Sequence, residues 1–145
     1  KYLDILEKSY IIFRLGSFSR NMRNELKLSR KIYFGDLGIR NAVIGNMAPL
    51  ENRNDTGALW ENFLIAERMK NNSYSNSFAQ SYFWRTKDQS EIDYLEEEDG
   101  GLSAYEFKWN PAKSKTKCPA SFAAAYPSST YKVITPDNIE EFIKL

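Results

Sequence analysis

Glu106-Phe-Lys108 lies in the apolar run Leu102-Ser-Ala-Tyr-Glu-Phe-Lys-Trp109, and Glu91-Ile-Asp93-Tyr precedes that run. In a strand, residues two apart share a face, so Glu106 and Lys108 emerge side by side, and Asp93 can lie opposite them on a paired strand. Two carboxylates and an ammonium then share one small site. Such a trio holds a hard divalent cation and positions a water, as metal-assisted hydrolysis of a phosphodiester requires. The same pattern also suits a structural Glu106–Lys108 pair at a sheet end with Asp93 on an exposed strand edge. Charges at the end of an apolar strand cost free energy unless they are paired or bind an ion. Glu61, on a helix ahead of the strands, is a third carboxylate for the same pocket, although an acid in a helix's first turn is also favoured by the macrodipole.

The elements that must position these groups can be read from periodicity and turn chemistry. Residues 1–45 predict a short helix (Lys1 to Glu7), a strand (Tyr10 to Leu15), a polar basic stretch, a strand (Lys31 to Phe34) and a short helix after Asp36. Asp55-Thr56 offers N-cap chemistry for a helix over Gly57 to Lys70, whose Leu59, Trp60, Phe63, Leu64, Ala66 and Met69 form an apolar face with Glu61 in the first turn. Strands follow at Phe78 to Arg85, Glu91 to Leu95 and Leu102 to Trp109, the last two joined through Asp99-Gly100, a hairpin signal that makes them antiparallel neighbours. The Leu102 strand splits into a face of Tyr105, Phe107 and Trp109 and a face of Leu102, Ala104, Glu106 and Lys108. A helix over Pro119 to Ala125, a strand over Thr130 to Ile134 and a short amphipathic helix after Pro136-Asp137, with Ile139, Phe142 and Ile143 inward, close the chain.

Composition excludes whole mechanisms. Histidine is absent and Cys118 is the sole cysteine, so no Ser-His-Asp or Cys-His nucleophile and no Cys/His zinc site can be built. Carboxylate, lysine, tyrosine and hydroxyl chemistry remains. Cys118 has no evident activating partner and reads as a packing residue. A single thiol suits a reducing compartment, and no apolar stretch approaches the roughly 20 residues that span a bilayer, so the expectation is a soluble, cytoplasmic protein with no membrane partner. The chain opens at Lys1 without an initiator Met or a leader, and reads as a piece of a longer protein. It carries no G-x-x-x-x-G-K-[ST] phosphate loop.

With 20 basic and 19 acidic residues, bulk charge cannot recruit a polyanion, and any nucleic-acid role depends on local clusters. One is Arg14, Arg20, Arg23, Lys27, Arg30 and Lys31, interrupted only by Glu25; another is Lys113, Lys115 and Lys117. Both suit a phosphate backbone, and both suit solvated basic loops.

The order of helix with Glu61, strand, strand with Asp93, strand with Glu106-x-Lys108, helix and strand resembles the restriction-endonuclease-like core of the PD-(D/E)xK nucleases over residues 57–135. The chain as a whole resembles the DUF4143 domain that follows an AAA-family ATPase module. The stretches carrying this are Tyr2-Leu-Asp-Ile-Leu-Glu7, Phe18-Ser-Arg-Asn21, Lys31-Ile-Tyr-Phe-Gly-Asp-Leu-Gly-Ile-Arg-Asn41, Gly57-Ala-Leu-Trp-Glu-Asn62, Tyr82-Phe-Trp-Arg85, Glu91-Ile-Asp93 and Tyr105-Glu-Phe-Lys108. The resemblance implies an α/β fold with a mixed central sheet. Residues 1–45 would be the end of a winged-helix segment, with the strands around Arg14 and Ile32 as its wing, 46–56 a linker and 57–145 the nuclease-like domain. It further implies Asp93, Glu106 and the Phe107 carbonyl as ligands of Mg²⁺ or Mn²⁺, Lys108 as the lysine that orients water, and Glu61 as the helix acid of some branches. Ile92 stands where the motif has Pro. DNA and the N-terminal ATPase module, which would hold the ATP, are the implied partners. Two functions remain open: a Mg-dependent DNA nuclease, or a non-catalytic DNA- or protein-binding or regulatory module that keeps the fold.

Overall fold

A computed structural model describes residues 1–20 and 29–143; Arg23 and Lys27 lie outside the described residues. Helix α1 (Tyr2–Lys8) leads to strands β1 (Ile12–Ser17) and β2 (Arg30–Phe34), then helices α2 (Leu37–Val43) and α3 (Thr56–Tyr74). Strands β3 (Gln80–Arg85), β4 (Glu91–Glu98) and β5 (Gly101–Phe107), helix α4 (Ala120–Ala125) and strand β6 (Thr130–Ile134) follow, with 3-10 turns at Leu50–Asn52, Pro111–Lys113 and Pro136–Glu141. The strands form one mixed sheet in the order β2-β1-β3-β4-β5-β6. From α3 onward the order is helix, three strands, helix, strand, as periodicity predicts.

The three strands after α3 run antiparallel, and β6 lies parallel to β5. A parallel pair needs a crossover, which α4 supplies. The β4–β5 hairpin turns at Asp99 and Gly100, with φ of 51° and 79°. Left-handed values at both central residues define the tight turn that an Asp-Gly pair favours. The strands of the first 45 residues belong to the same sheet: β1 pairs antiparallel with β2 and parallel with β3. Leu15 and Tyr33 of this pair bury their side chains in the core under α3, which gives the hairpin a reason to stay there.

Central strands covered on both faces must be apolar on both, and this sheet is. On the α3 face, Trp60, Leu64 and Ile65 pack with Phe83, Tyr94, Phe107 and Phe142. On the α4 face, Phe122 and Tyr126 pack with Phe18, Trp84, Ile92, Leu95 and Ala104. Tyr105 and Phe107 join the first cluster and Leu102 and Ala104 the second, the division expected from the β5 sequence. Among the described residues no helix is long and apolar enough to cross a membrane.

Two local expectations need correction. Asp55 occupies the N-cap position of α3 but makes no side-chain capping bond. Its carboxylate is held instead by Arg53, at 2.8 and 2.9 Å, and by Arg40, at 2.9 Å. Charge-assisted, bidentate bonds outcompete a neutral N–H donor, and they hold the Asp55 pKa well below the usual carboxylate range. The closing amphipathic helix is a 3-10 turn broken at Asn138, whose φ is −131°. The Asn138 side chain is bonded to the Thr135 N–H and the Val133 carbonyl, and these bonds fix a non-helical backbone. Ile139, Phe142 and Ile143 still face the core.

Asn62 fixes β2 against α3. Only 3% exposed, it accepts from the Phe34 N–H at 3.0 Å and donates to the Phe34 carbonyl at 2.7 Å. Asn62→Ala removes both partners of an edge-strand peptide unit and is expected to lower the unfolding free energy by about 2 kcal/mol. Urea denaturation measures this, and a loss under about 0.5 kcal/mol, within the range of an ordinary surface substitution, would show the clamp to be dispensable.

Candidate functional site

The sheet opens where the acids lie. β4 and β5 pair from Glu98↔Gly101 to Tyr94↔Tyr105 and no further, so Asp93 and Glu106 are the first residues beyond the ladder. In their place Asp93 Oδ2 accepts the Phe107 N–H at 2.8 Å. On its other side β4 is bulged: Tyr82 pairs with Leu95 and Trp84 with Ile92, two steps on β3 against three on β4. A bulge re-aims a side chain, and this one lies at Asp93 and Tyr94. Glu106 Oε1 accepts from Lys108 Nζ at 2.6 Å, and the Lys108 N–H donates to the Ile134 carbonyl at 2.9 Å, so β6 holds the lysine just past the end of β5.

Glu61 approaches from α3. The helix starts at Thr56, one residue earlier than expected, and its first turn contains no acid. The macrodipole, whose influence fades within that turn, does not account for Glu61. Two side chains of β2 hold it: Tyr33 donates its hydroxyl at 2.5 Å and Lys31 its ammonium at 3.2 Å. Lys31 also pairs with Glu91, and it lies 5.2 Å from the centroid of the Phe83 ring. Arg85 completes the shell on Glu91, at 2.6 and 2.9 Å. Four carboxylates, Glu61, Glu91, Asp93 and Glu106, thus gather around three cations, Lys31, Arg85 and Lys108.

The titration of the cluster follows from that imbalance. Burial, then the charges of Glu106 and Glu61, push Asp93 up to about 7, against the pull of the Phe107 N–H and Lys31. Burial alone would lower Lys31, but Glu61, Glu91 and Asp93 raise it. Lys108 is likewise raised, with burial opposed by Glu106, Asp93 and Glu61. Glu91 is held low because its bonds to Lys31 and Arg85 outweigh its burial. Burial and the neighbouring Glu61 push the Tyr33 phenol far up, so it stays a donor. On the α4 side, the buried Tyr131 hydroxyl has no partner among the described residues, and its phenol is raised by burial and then by Glu106. Burial and Glu106 also raise the Cys118 thiol, which keeps it inert and agrees with a packing role.

The structure therefore brings Glu61, Asp93, Glu106 and Lys108 into one electrostatic unit. Sequence reasoning missed Tyr33, Arg85, Glu91 and Asn62, and it placed Lys31 among residues for nucleic acid. The alternation Lys31-x-Tyr33 and Glu91-x-Asp93 was a usable signal for shared faces, but no local rule brings β2 to α3. Three of the four described members of the basic run are paired: Arg14 with Asp4 at 2.7 Å and Glu7 at 3.2 Å, Arg20 with Glu97 at 2.7 Å, and Lys31 with Glu61 and Glu91. Arg30 is exposed on β2, and Lys113, Lys115 and Lys117 are exposed in the segment that follows Lys108.

The donor chemistry suits an oxygen-seeking divalent cation: carboxylates beside an unpartnered hydroxyl, at an open strand end. Glu61, Glu91 and Glu106 are closed on Lys or Arg, however, and Asp93 on a backbone N–H, and among the described residues no group of three acids is gathered as a ready metal site. Lys31 and Lys108 stand in for the positive charge such an ion would bring.

Residues 56–143, beginning at the first residue of α3, match the family model described as Domain of unknown function (DUF4143). The chain belongs to the DUF4143 family. Residues 1–50 match a second model, Domain of unknown function (DUF8612). The acid cluster straddles the two matches, with Lys31 and Tyr33 in one and Glu61, Asp93, Glu106 and Lys108 in the other. Two uncharacterized proteins, of Mycobacterium bovis and Mycobacterium tuberculosis, are each 29% identical over 110 residues, covering 74% of this chain. The matched part is 24% of each relative, so the DUF4143 chain spans about a quarter of their length. No solved structure matches it.

The Asp93 titration has a definite sign. Its folded pKa of about 7 lies above the roughly 3.9 of an unfolded aspartate, so protonation favours the folded state. That contribution is fully present below about pH 4 and is lost as pH rises through 7, at most about 4 kcal/mol in all. Asp93→Asn keeps an acceptor for the Phe107 N–H and removes the titration. Its stability relative to wild type is expected to be higher at pH 8 than at pH 5 by about 2 kcal/mol, measured by chemical denaturation at both. A difference independent of pH would show that Asp93 titrates normally.

Proposed function

We propose that this chain is a DNA-associated, restriction-endonuclease-like domain that hydrolyses phosphodiesters with a divalent cation, Mg²⁺ or Mn²⁺. The observation that carries this reading is the convergence of Glu61, Asp93, Glu106 and Lys108, from three elements, at the point where β4 and β5 part. Element order and the mixed sheet are consistent with it. Asp93, Glu106 and the Phe107 carbonyl are the residues that would hold the ion. Bound there, it would supply a polarised phosphoryl oxygen and a more acidic water.

The chain's own groups do the rest. Lys108, kept charged by Glu106, has further N–H donors for a water or a phosphate oxygen. Glu61 contributes negative charge from the helix side, and its bond to Tyr33 fixes its orientation. Arg30 and the exposed Lys113, Lys115 and Lys117 offer contacts to a phosphate backbone. In this reading the activity would sit beside an AAA-family ATPase module, and relatives about four times the length of the matched segment are long enough to hold one.

A second reading is a non-catalytic DNA- or protein-binding, or regulatory, module of such an ATPase. The pairing of Lys31 with Glu61 and Glu91 and of Lys108 with Glu106 favours it, because every acid in the cluster already has a donor. Plasmid cleavage in Mg²⁺ or Mn²⁺ separates the two. Wild type is expected to cut, and Asp93→Asn and Lys108→Ala to cut at least about 100-fold more slowly, as loss of a charge-stabilising group does. Equal cleavage by all three proteins removes the catalytic assignment. No cleavage by any, with salt-sensitive and metal-independent DNA binding, would establish the recognition module instead.

A further inference from the structure

We propose that Lys31 is the resident counter-ion of the acid cluster and that a divalent cation held by Asp93 and Glu106 loosens its ammonium from Glu61. The segment carrying β2 then sets the metal affinity of a site whose acids lie elsewhere; this rests on the metal-dependent reading above. Lys31 belongs to the residue 1–50 match and the acids to the 56–143 match, so two separately recognised segments meet at one charge contact.

Three observations carry the inference. The Lys31 ammonium bridges Glu61 and Glu91, on different elements, although its side chain is only 20% exposed. A half-buried lysine in that position is held by its acids and not by solvent. Its position is built: Asn62 clamps the backbone of β2 at Phe34, and Tyr33 shares Glu61 Oε1 with it. The cluster has one more carboxylate than cation, which leaves a net negative charge to attract a cation, and release of the bridging ammonium is what would free oxygens of Glu61 and Glu91. Lys108 is tied to Glu106, two residues back in the chain, and Arg85 pairs with Glu91. Of the three cations, Lys31 is the one that bonds the helix acid, Glu61.

Mn²⁺ binding to the whole chain, followed by calorimetry and by the thermal shift it produces, tests this without any cleavage assay. Lys31→Met keeps the apolar stem over Phe83 and removes the charge. It is expected to bind Mn²⁺ about tenfold more tightly than wild type, since a repelling charge has gone from a site of low effective dielectric. Lys31→Arg, which keeps the charge, should stay close to wild type, and so should Tyr33→Phe, which removes a donor to Glu61 but leaves every formal charge of the cluster in place. A second readout needs no variant: the Lys31 ammonium NMR signal of the wild type should shift as Mg²⁺ is added. Unchanged affinity in Lys31→Met, or a Lys31 signal that ignores bound Mg²⁺, would overturn the role of Lys31 and leave the metal site standing. No Mn²⁺ binding by wild type and Lys31→Met alike would overturn both. Binding by Lys31→Met alone would overturn the exchange, because the ammonium would then exclude the ion instead of yielding to it.

Discussion

Carboxylates resist being brought together out of water, and the architecture around the β4–β5 opening follows from that constraint. Each acid there is met by a donor: β2 for Glu61, β2 and Arg85 for Glu91, Lys108 two residues on for Glu106, and a backbone N–H for Asp93. The donors to Glu61, and one of those to Glu91, arrive only if the sheet is complete out to β2. That explains why a polar, satisfied clamp such as Asn62–Phe34 is kept in the buried face of α3, where an apolar residue would otherwise serve. It also explains the density of bonds around Arg53, which ties the connection before α3 to Asn41, Asn46 and Asp55 and so fixes where the helix begins.

β4 carries an internal comparison. Three residues beyond Asp93, Glu96 is 7% exposed, yet it receives two bonds from Arg68 and one each from Asn72 and Tyr94. Burial would raise its pKa, but the Arg68 and Asn72 bonds hold it below the usual range. Arg68 also reaches the Phe142 carbonyl and so fastens the closing turn to α3. Glu96 is therefore a fully partnered structural acid. Asp93, on the same strand, has a single backbone donor and two like charges as neighbours, and shifts the opposite way. When one strand holds one acid low and lets another rise, the environment of each assigns its role. The unbalanced acid is the candidate for chemistry.

Much of this was legible locally. The two faces of β5, the Asp99-Gly100 turn and the apolar side of α3 depend on residues within one element, where periodicity speaks directly. The β4 bulge was less so. Its trace in the sequence is that Ile92, Tyr94 and Leu95 are all apolar, which breaks strict alternation at the position where the strand changes face. The destination of Lys31 was not legible, because it depends on how β1 aligns with β3 and on how α3 crosses the sheet. Counting charge along the chain does not show these pairings for the same reason: the acids that pair with Arg14, Arg20 and Lys31 lie at positions 4, 7, 61, 91 and 97, outside the basic run.

The junction between the two halves gives the acid cluster a structural consequence as well. β1 meets β3 through only two residue pairs, Gly16↔Tyr82 and Ser17↔Phe83, extended by the bond from the Phe18 N–H to the Phe83 carbonyl. Each neighbouring pair of strands shares five. So short a parallel ladder leaves side chains to hold the β1–β2 hairpin in place, and those that cross the junction near the site are Lys31, Tyr33 and Asn62. Of these, Lys31 is the one whose hold depends on charge. Anything that changes the charge balance at Glu61 and Glu91 therefore also changes how firmly the hairpin is attached, and movement of the hairpin changes the charge presented to Asp93. Attachment and site electrostatics are one interaction seen from two sides.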